Sequence, residues 1–472
     1  MYHCFQGEPP TTHNACNEAK THKTIGVSPS VRHHGDTNVH MIVNTFLVCV
    51  PHLMRSRDSY DGFMRLDTAN KDGKRTSAPP SEEGNAMKPT KDQTPDTKDS
   101  SLVQLTTARK KASPSDVRLS NRMMVFSQLF PHHVMSRADI VRNTGLSKAS
   151  ASEVVSDMVV CHILAEIGQE PQEGRGKRGT LLSIDARHWH IIAIDLSQPH
   201  VIQGAVTNLA GLVVQRAEIP VADMSHLSTQ LVIDLCERLI ALTSNPIMGI
   251  GAAVPGMVDR NGIVSNAPAL GWSNVPLRAI LEDRFHIDTV VDNNAHSALL
   301  AERFFGHGTP NTLFVQMTSD ISAAILVDDS MIYGVGHYAG EIGHVTVSRN
   351  GPVCRCGKQG CLESMISVEV LRKRMAGENA ERSSILSAAG SHLGDALSMT
   401  VNMLDIHDIV VFGPADIVND AFLDALKQSL EEQAPPHLPR DFRIRRSECG
   451  NNILIRGLSV AVSQTMVQRL KP

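Results

Sequence analysis

At 472 residues the chain is long enough for about three domains of roughly 100–200 residues, and its 42% apolar content excludes disorder along the whole length. Lys and Arg total 45 against 49 Asp and Glu, a net charge of -4, which excludes a basic coat for indiscriminate nucleic-acid binding but leaves room for a local basic patch. No apolar run approaches the roughly 18 residues that span a bilayer.

The longest apolar run near the start, Met41 to Val50, lacks the basic approach and small-residue cleavage site of a secretory signal. The nine cysteines, crowded most densely between Cys354 and Cys361, fit metal chemistry in a reducing compartment better than a disulfide framework. The expected location is cytoplasmic, with no membrane partner.

From Met1 to about Ser115 the sequence is rich in Thr, Ser, Pro, Asp, Lys and His and has no sustained apolar period. It reads as a disordered N-terminal extension, the alternative being translation from an internal methionine such as Met87 or Met123. No repeat of solenoid length occurs. A first domain is expected over 117–186, where a helical pattern runs from Val117 to Val160 and two short apolar stretches follow, Ile163 to Ile167 and Thr180 to Ile184. A second is expected over 190–472. There, strand-like runs such as Ile247 to Val254 alternate with amphipathic helices, one carrying Leu227, Leu231, Leu235 and Leu239. A late strand, Asp408 to Phe412, leads into a helix with Phe422, Leu426 and Leu430 on one face. The alternation predicts an α/β domain.

Within the first domain Ser136 and Ser147 are N-cap candidates and Gly145 supplies the tight turn between two helices. Val154, Val155, Met158 and Val159 form the buried face of the second helix. Its exposed start presents Lys148, Ala149, Ser150 and Ser152. This spacing is that of a helix-turn-helix, whose second helix meets base edges in the major groove of double-stranded DNA while small hydroxyl side chains reach phosphates. An ordinary helical hairpin with a polar surface is the alternative.

The two apolar stretches would form a wing tipped by Arg175, Lys177 and Arg178 among glycines, suited to a narrow minor groove. From Arg118 to Asp185 there are eight basic and seven acidic residues, so only the clustering at the tip favours DNA over a solvated turn. The candidate DNA-binding set is Ser136, Arg137, Ser147, Lys148, Ala149, Ser150, Ser152, Arg175, Lys177 and Arg178.

His344, Cys354, Cys356 and Cys361 offer an imidazole and three thiolates from one short segment, a Cys3His set for tetrahedral, structural Zn2+ with no open position. A chance cluster of cysteines is the alternative. The flanking residues, Gly340-Glu341-Ile342-Gly343-His344 and Gly351-Pro352-Val353-Cys354-Arg355-Cys356-Gly357-Lys358-Gln359-Gly360-Cys361-Leu362-Glu363, resemble the signature of the ROK family of sugar-responsive repressors and sugar kinases. Similarity extends to Ala252-Ala253-Val254-Pro255-Gly256 and to Gly271-Trp272-Ser273-Asn274-Val275-Pro276-Leu277. The helix-turn-helix region resembles that of the family's repressors, so the likeness runs from about Val117 to the end.

The resemblance implies an actin-like (ribonuclease H-like), two-lobed domain with a zinc loop and a sugar in its cleft. It places Asn293, Glu341, His344 and Glu363 at sugar-contacting positions, with Asn294 contributing. In the family's kinases the position of Asn294 holds the Asp that deprotonates the attacking hydroxyl, a role an amide cannot fill.

Three phosphate-side sites also depart. The glycine-rich turn after the first strand reads Asp195-Leu196-Ser197-Gln198-Pro199-His200, the second phosphate loop carries Asp320, Ser322 and Ala324 in place of glycines, and the adenosine-side turn reads Gly413-Pro414. Added side chains and a carboxylate are hostile to a bound polyphosphate. Ala269 replaces an Asn that is frequent in the family. The expectation is therefore a DNA-binding transcriptional regulator, most simply a repressor of carbohydrate genes, not an enzyme. Its effector would be a sugar or sugar phosphate and its assembly a homodimer or homotetramer. An ATP-dependent sugar kinase is the alternative.

Overall fold

The computed structural model describes residues 114–169, 179–377, 381–437 and 441–469. The expected N-terminal extension and the wing-tip cations Arg175, Lys177 and Arg178 lie outside them.

The chain begins with helix α1 (Pro114–Leu129), the two-residue strand β1 (Met135–Ser136), and helices α2 (Arg137–Thr144) and α3 (Lys148–Val160). Strands β2 (Leu164–Gln169) and β3 (Thr180–Ile184) then complete a small sheet of order β1-β3-β2. Gly145 closes α2 at φ 70, a left-handed conformation that a side chain would strain. Ala151, Val154, Val155 and Met158 form the buried stripe of α3. Val159, expected in that stripe, is only half-buried, and Ala151 takes its place because it lies one turn before Val155.

Two five-stranded sheets follow, and they share one plan. In the first, β4 (His190–Asp195), β5 (Val201–Asn208) and β6 (Val213–Pro220) form an antiparallel meander, and β7 (Ile247–Val254) and β11 (Thr289–Asn293) add in parallel beside β4. In the second, β12 (Thr312–Met317), β13 (Ile321–Val327) and β14 (Ser330–Met331) form the meander, and β15 (Asp408–Phe412) and β16 (Arg443–Arg446) add in parallel beside β12. The orders β11-β7-β4-β5-β6 and β14-β13-β12-β15-β16 are therefore mirror listings of the same topology. Both central strands, β4 and β12, are buried at every position, as strands covered on both faces must be.

Helix α4 (Thr229–Ala241) crosses over in the first half. It buries Val232, Leu235, Cys236 and Leu239, whereas Leu227 precedes the Ser228 cap and so lies outside the helix. A small sheet of β8 (Met257–Val258), β9 (Val264–Ala267) and β10 (Trp272–Val275) precedes helix α5 (Leu277–Phe285). In the second half α7 (Leu362–Ile366), α8 (Val368–Met375) and α9 (Arg382–Leu404) cross over, and α10 (Asp420–Gln433) leads to β16.

Each half ends in a helix, α6 (Asn294–Phe305) after β11 and α11 (Ile453–Arg469) after β16, and the two pack against each other and between the sheets. Glu302 near the end of α6 is wholly buried and accepts from Arg445 Nη1 at 2.6 Å, Ser447 Oγ at 2.6 Å and the His307 amide at 3.1 Å. Burial opposes its charge, but these donors prevail and hold its carboxyl below the usual range.

The helical head shares one core with the larger domain: Phe126, Leu129, Ile140, Val155 and Met158 are continuous with Leu300, Val460, Val462 and Met466. The Phe130 ring meets Phe304 at 5.3 Å and Phe305 at 5.9 Å, both edge-on. Trp189 Nε1 donates to the Cys161 carbonyl at 2.9 Å. Among the described residues no helix is long and apolar enough to cross a membrane.

Candidate functional site: the interlobe cleft and its Cys3His loop

The carboxyl ends of β4, β7, β11 and β12 converge, the usual place for a ligand in such sheets. A cavity of about 380 Å³ there is lined by Asn293, Asp320, Glu341, His344, Arg355 and Glu363, with Pro255, Gly256 and Pro268. The segment between β14 and α7 reaches this place because Gly340, at φ 102, passes so close to β13 that a Cβ would lie 2.0 Å from the Ala323 carbonyl oxygen.

Four of the five expected ligand residues thus line one cavity, and the fifth does not. Asn293 caps α6, its Oδ1 accepting from the Ala295 amide at 2.7 Å while its Nδ2 donates to Gly256 O at 2.8 Å. The Glu341 carboxylate makes no hydrogen bond among the described residues, and burial pushes its carboxyl up. Glu363 is 7% exposed and held by Arg355, Nε to Oε1 at 2.8 Å and Nη2 to Oε2 at 3.0 Å. Asn294 is 1% exposed and outside the lining set. Its Oδ1 accepts from the Ala295 amide at 3.0 Å, and its Nδ2 has no partner among the described residues. As the first residue of α6 it is covered by that helix's own packing. Arg355 and Asp320 were absent from the expected set. The only sequence signal for Arg355 is its place between two candidate ligands, Cys354 and Cys356.

The ligand atoms of His344, Cys354, Cys356 and Cys361 lie within 4.8 Å of one another. The Cys356–Cys361 sulfur separation is 3.7 Å and His344 Nδ1 lies 3.6 Å from Cys354 Sγ. A tetrahedral ion with bonds of about 2.3 Å to sulfur and about 2.0 Å to nitrogen requires edges of about 3.8 and 3.5 Å, so the four residues fit a metal. Gly360 permits the closure. At φ 69 it meets the Ser348 carbonyl oxygen so closely that a Cβ would stand 1.5 Å away.

On the opposite side, the β4–β5 turn is closed upon itself. Asp195 is 1% exposed, and its carboxylate accepts from Ser197 N at 2.8 Å, Ser197 Oγ at 2.5 Å, Gln198 Nε2 at 3.1 Å and Gln203 Nε2 at 2.8 Å. Those donors occupy both of its oxygens. The equivalent β12–β13 turn is held by Asp320, which accepts from Thr318 Oγ1 at 2.9 Å.

In the head, Ser136 is 2% exposed and forms a reciprocal capping box with Asp139, so its hydroxyl serves α2 and does not face outward. Ser147 caps α3 by accepting from Ser150 N at 3.1 Å. Lys148, Ala149 and Ser152 are exposed and Ser150 half-buried. Arg137 is paired with Glu166 of β2 at 3.0 Å.

The ROK family profile matches residues 191–465, more than half of the chain and all but the first residue of the two large sheets. The chain belongs to the ROK family. Among relatives, a xylose repressor of Bacillus spizizenii is 23% identical over 76% of this chain and 99% of its own length. A glucokinase of Halalkalibacterium halodurans is 28% identical over 56% of this chain and 92% of its own. A crystal structure of a ROK family transcriptional regulator, a homologue of the E. coli MLC protein, superposes with TM-score 0.64 at 19% identity, covering 75% of this chain and 97% of its own. The expected actin-like ROK fold is thus the observed one.

Proposed function

We propose that this ROK protein is a sequence-specific DNA-binding transcriptional repressor of carbohydrate genes. Its effector is a sugar-class ligand held by Asn293, Glu341, His344 and Glu363. The observation that carries the reading is the helical head itself: α2, the Gly145 turn and α3, with Lys148, Ala149 and Ser152 exposed at the start of α3, are packed into the same core as the ROK sheets. The alignment with the xylose repressor, covering nearly that relative's full length, supports it. Ser147, Lys148, Ala149, Ser150, Ser152 and Arg137 of this winged helix-turn-helix are proposed to meet operator DNA, with the wing-tip cations Arg175, Lys177 and Arg178 in the minor groove.

Carboxylate and amide groups suit vicinal hydroxyls of a polyol. Zn2+ held by His344, Cys354, Cys356 and Cys361 would supply structural cross-linking of the loop that presents Glu341. With Nδ1 as ligand, His344 is left with its proton on Nε2, a donor for a hydroxyl. Ligand then shifts the balance between DNA-competent and released conformations by binding them unequally. A homodimer, or a tetramer built from it, reading a palindromic site is proposed, because one head covers only a half-site.

Kinase activity is disfavoured by Asp195. With its oxygens filled by four internal donors, it has little left for a metal–nucleotide complex. The test is selection of genomic fragments by the purified chain at fixed near-physiological salt, since phosphate contacts dominate non-specific affinity, repeated with a sugar panel. Enrichment of a palindrome beside carbohydrate genes, released by one sugar, is the expected result. Absence of any enriched site, together with sugar-dependent ADP release, would replace this reading with the kinase one.

A further inference from the structure

A second cavity of about 300 Å³ opens beside the cleft, walled by Leu196, Pro199, Met224 and Leu270. The two cavities share Pro255, Pro268, Asp320 and Arg355, so the Arg355–Glu363 pair stands on their common border. The second cavity lies between the β4–β5 turn and Ser319-Asp320 at the β12–β13 turn, the two turns that the duplicated fold places face to face.

Three features describe what this space accepts. First, anions are unwelcome. Asp320 stands in the wall and so does Asp223, whose carboxyl is drawn down to about 2 by hydrogen bonds from Ser225 and His226. The Arg355 guanidinium is meanwhile already matched bidentately by Glu363. Second, Ser197 and Gln198 point their hydrogen-bond donors at Asp195, so the turn offers no cradle for a phosphoryl group. Third, Pro199, Met224, Pro255 and Pro268 give the cavity apolar surface of the kind that packs against the C–H face of a sugar ring, and polar residues such as His200 and Ser319 share the lining and suit its hydroxyls.

We propose that the effector is an uncharged saccharide of at least two rings, one bound by its hydroxyls in the polar cleft and the next lying in this second cavity. The inference rests on the proposed reading of the cleft as the effector site. A phosphorylated monosaccharide is the wrong ligand on both counts, since it brings charge to carboxylates and leaves the apolar surface in water.

The test is calorimetric titration of the full chain with glucose, cellobiose, xylose, xylobiose and glucose 6-phosphate, repeated on Ala222→Trp. Ala222 is exposed on the far wall of the second cavity and does not line the first, so the indole fills the second cavity alone. One disaccharide should bind at least ten-fold tighter than its own monosaccharide, and Ala222→Trp should remove that advantage while leaving monosaccharide affinity unchanged. Equal affinity for a disaccharide and its unit, tightest binding of glucose 6-phosphate, or an equal loss for both sugar lengths in Ala222→Trp overturns the two-ring proposal and leaves the effector site standing. Failure of every sugar to bind a chain that retains its metal overturns the effector reading itself.

Discussion

The two walls of the cleft come from the two halves of a duplicated fold, and they are in opposite chemical states. On the wall made by the β4–β5 turn, polar groups consume one another. Asp195 takes four donors from its own hairpin. On the wall made by the Gly340–Glu363 segment, the Glu341 carboxylate makes no hydrogen bond among the described residues, and His344 lies beside its cysteine neighbours. The difference teaches that one scaffold can leave polar groups open on one wall and satisfy them internally on the other, because the two sets sit on different segments.

The largest effect should come from dismantling the open wall. Cys356→Ala removes an exposed ligand of the Cys3His set, and loss of bound metal with destabilisation of several kcal/mol is expected. Metal analysis and thermal melts read it out. Full metal content together with unchanged sugar binding in this variant would disconnect the loop from the site.

Next in size is Glu302→Gln, which strips a buried charge from Arg445 and should cost about 3–5 kcal/mol. Because the folded carboxyl of Glu302 lies below its unfolded value, its contribution is fully present above the unfolded value and disappears as pH falls through the folded one. The gap between wild-type and variant melting temperatures should therefore be widest near neutrality and close on acidification. A gap that widens in acid would reverse the assigned sign.

A smaller change is expected from Glu341→Gln. It keeps the shape of the open wall but loses a charged acceptor, worth about 1.5–3 kcal/mol or roughly ten- to one-hundred-fold in sugar affinity. Metal content should not move, and a fall in both would make Glu341 a support of the loop.

The smallest effect sharpens the comparison by being nil. Asn294→Asp combined with Asp320→Gly introduces the residues that the family resemblance implies for a kinase, yet sugar-dependent ADP release should stay at background because Asp195 remains saturated. Turnover in the double variant would mean that the closed wall is only lightly closed.

Much of this was legible in the sequence. Ile247–Val254 and Asp408–Phe412 announce themselves as strands because their burial on both faces demands unbroken apolar runs, and the Cys3His set because its ligands come from one segment. The duplication was not legible. The two halves share strand order without a recurring motif that marks it, since packing constrains apolar character more than identity. Ser136 and Asn294 were legible as polar residues at the right positions, but their burial depends on tertiary neighbours that no local pattern encodes. Arg355 was hidden for the same reason. Its partner Glu363 lies across the closed loop, and pairing of that kind becomes visible only after the cysteines are brought together.

Helix α6 begins in the cleft, where Asn293 caps it, and ends where Phe304 and Phe305 clasp Phe130 of the head. Its twelve residues measure about 18 Å, and they include neither glycine nor proline, so the strut has no built-in bend to absorb a push. In mechanical terms it is a connecting rod with one bearing at the cleft and the other at the helical head. The practical consequence concerns repair: a substitution that loosens the aromatic bearing at Phe130 should be correctable from the opposite end of the rod, by a change beside Asn293 that resets its axial position.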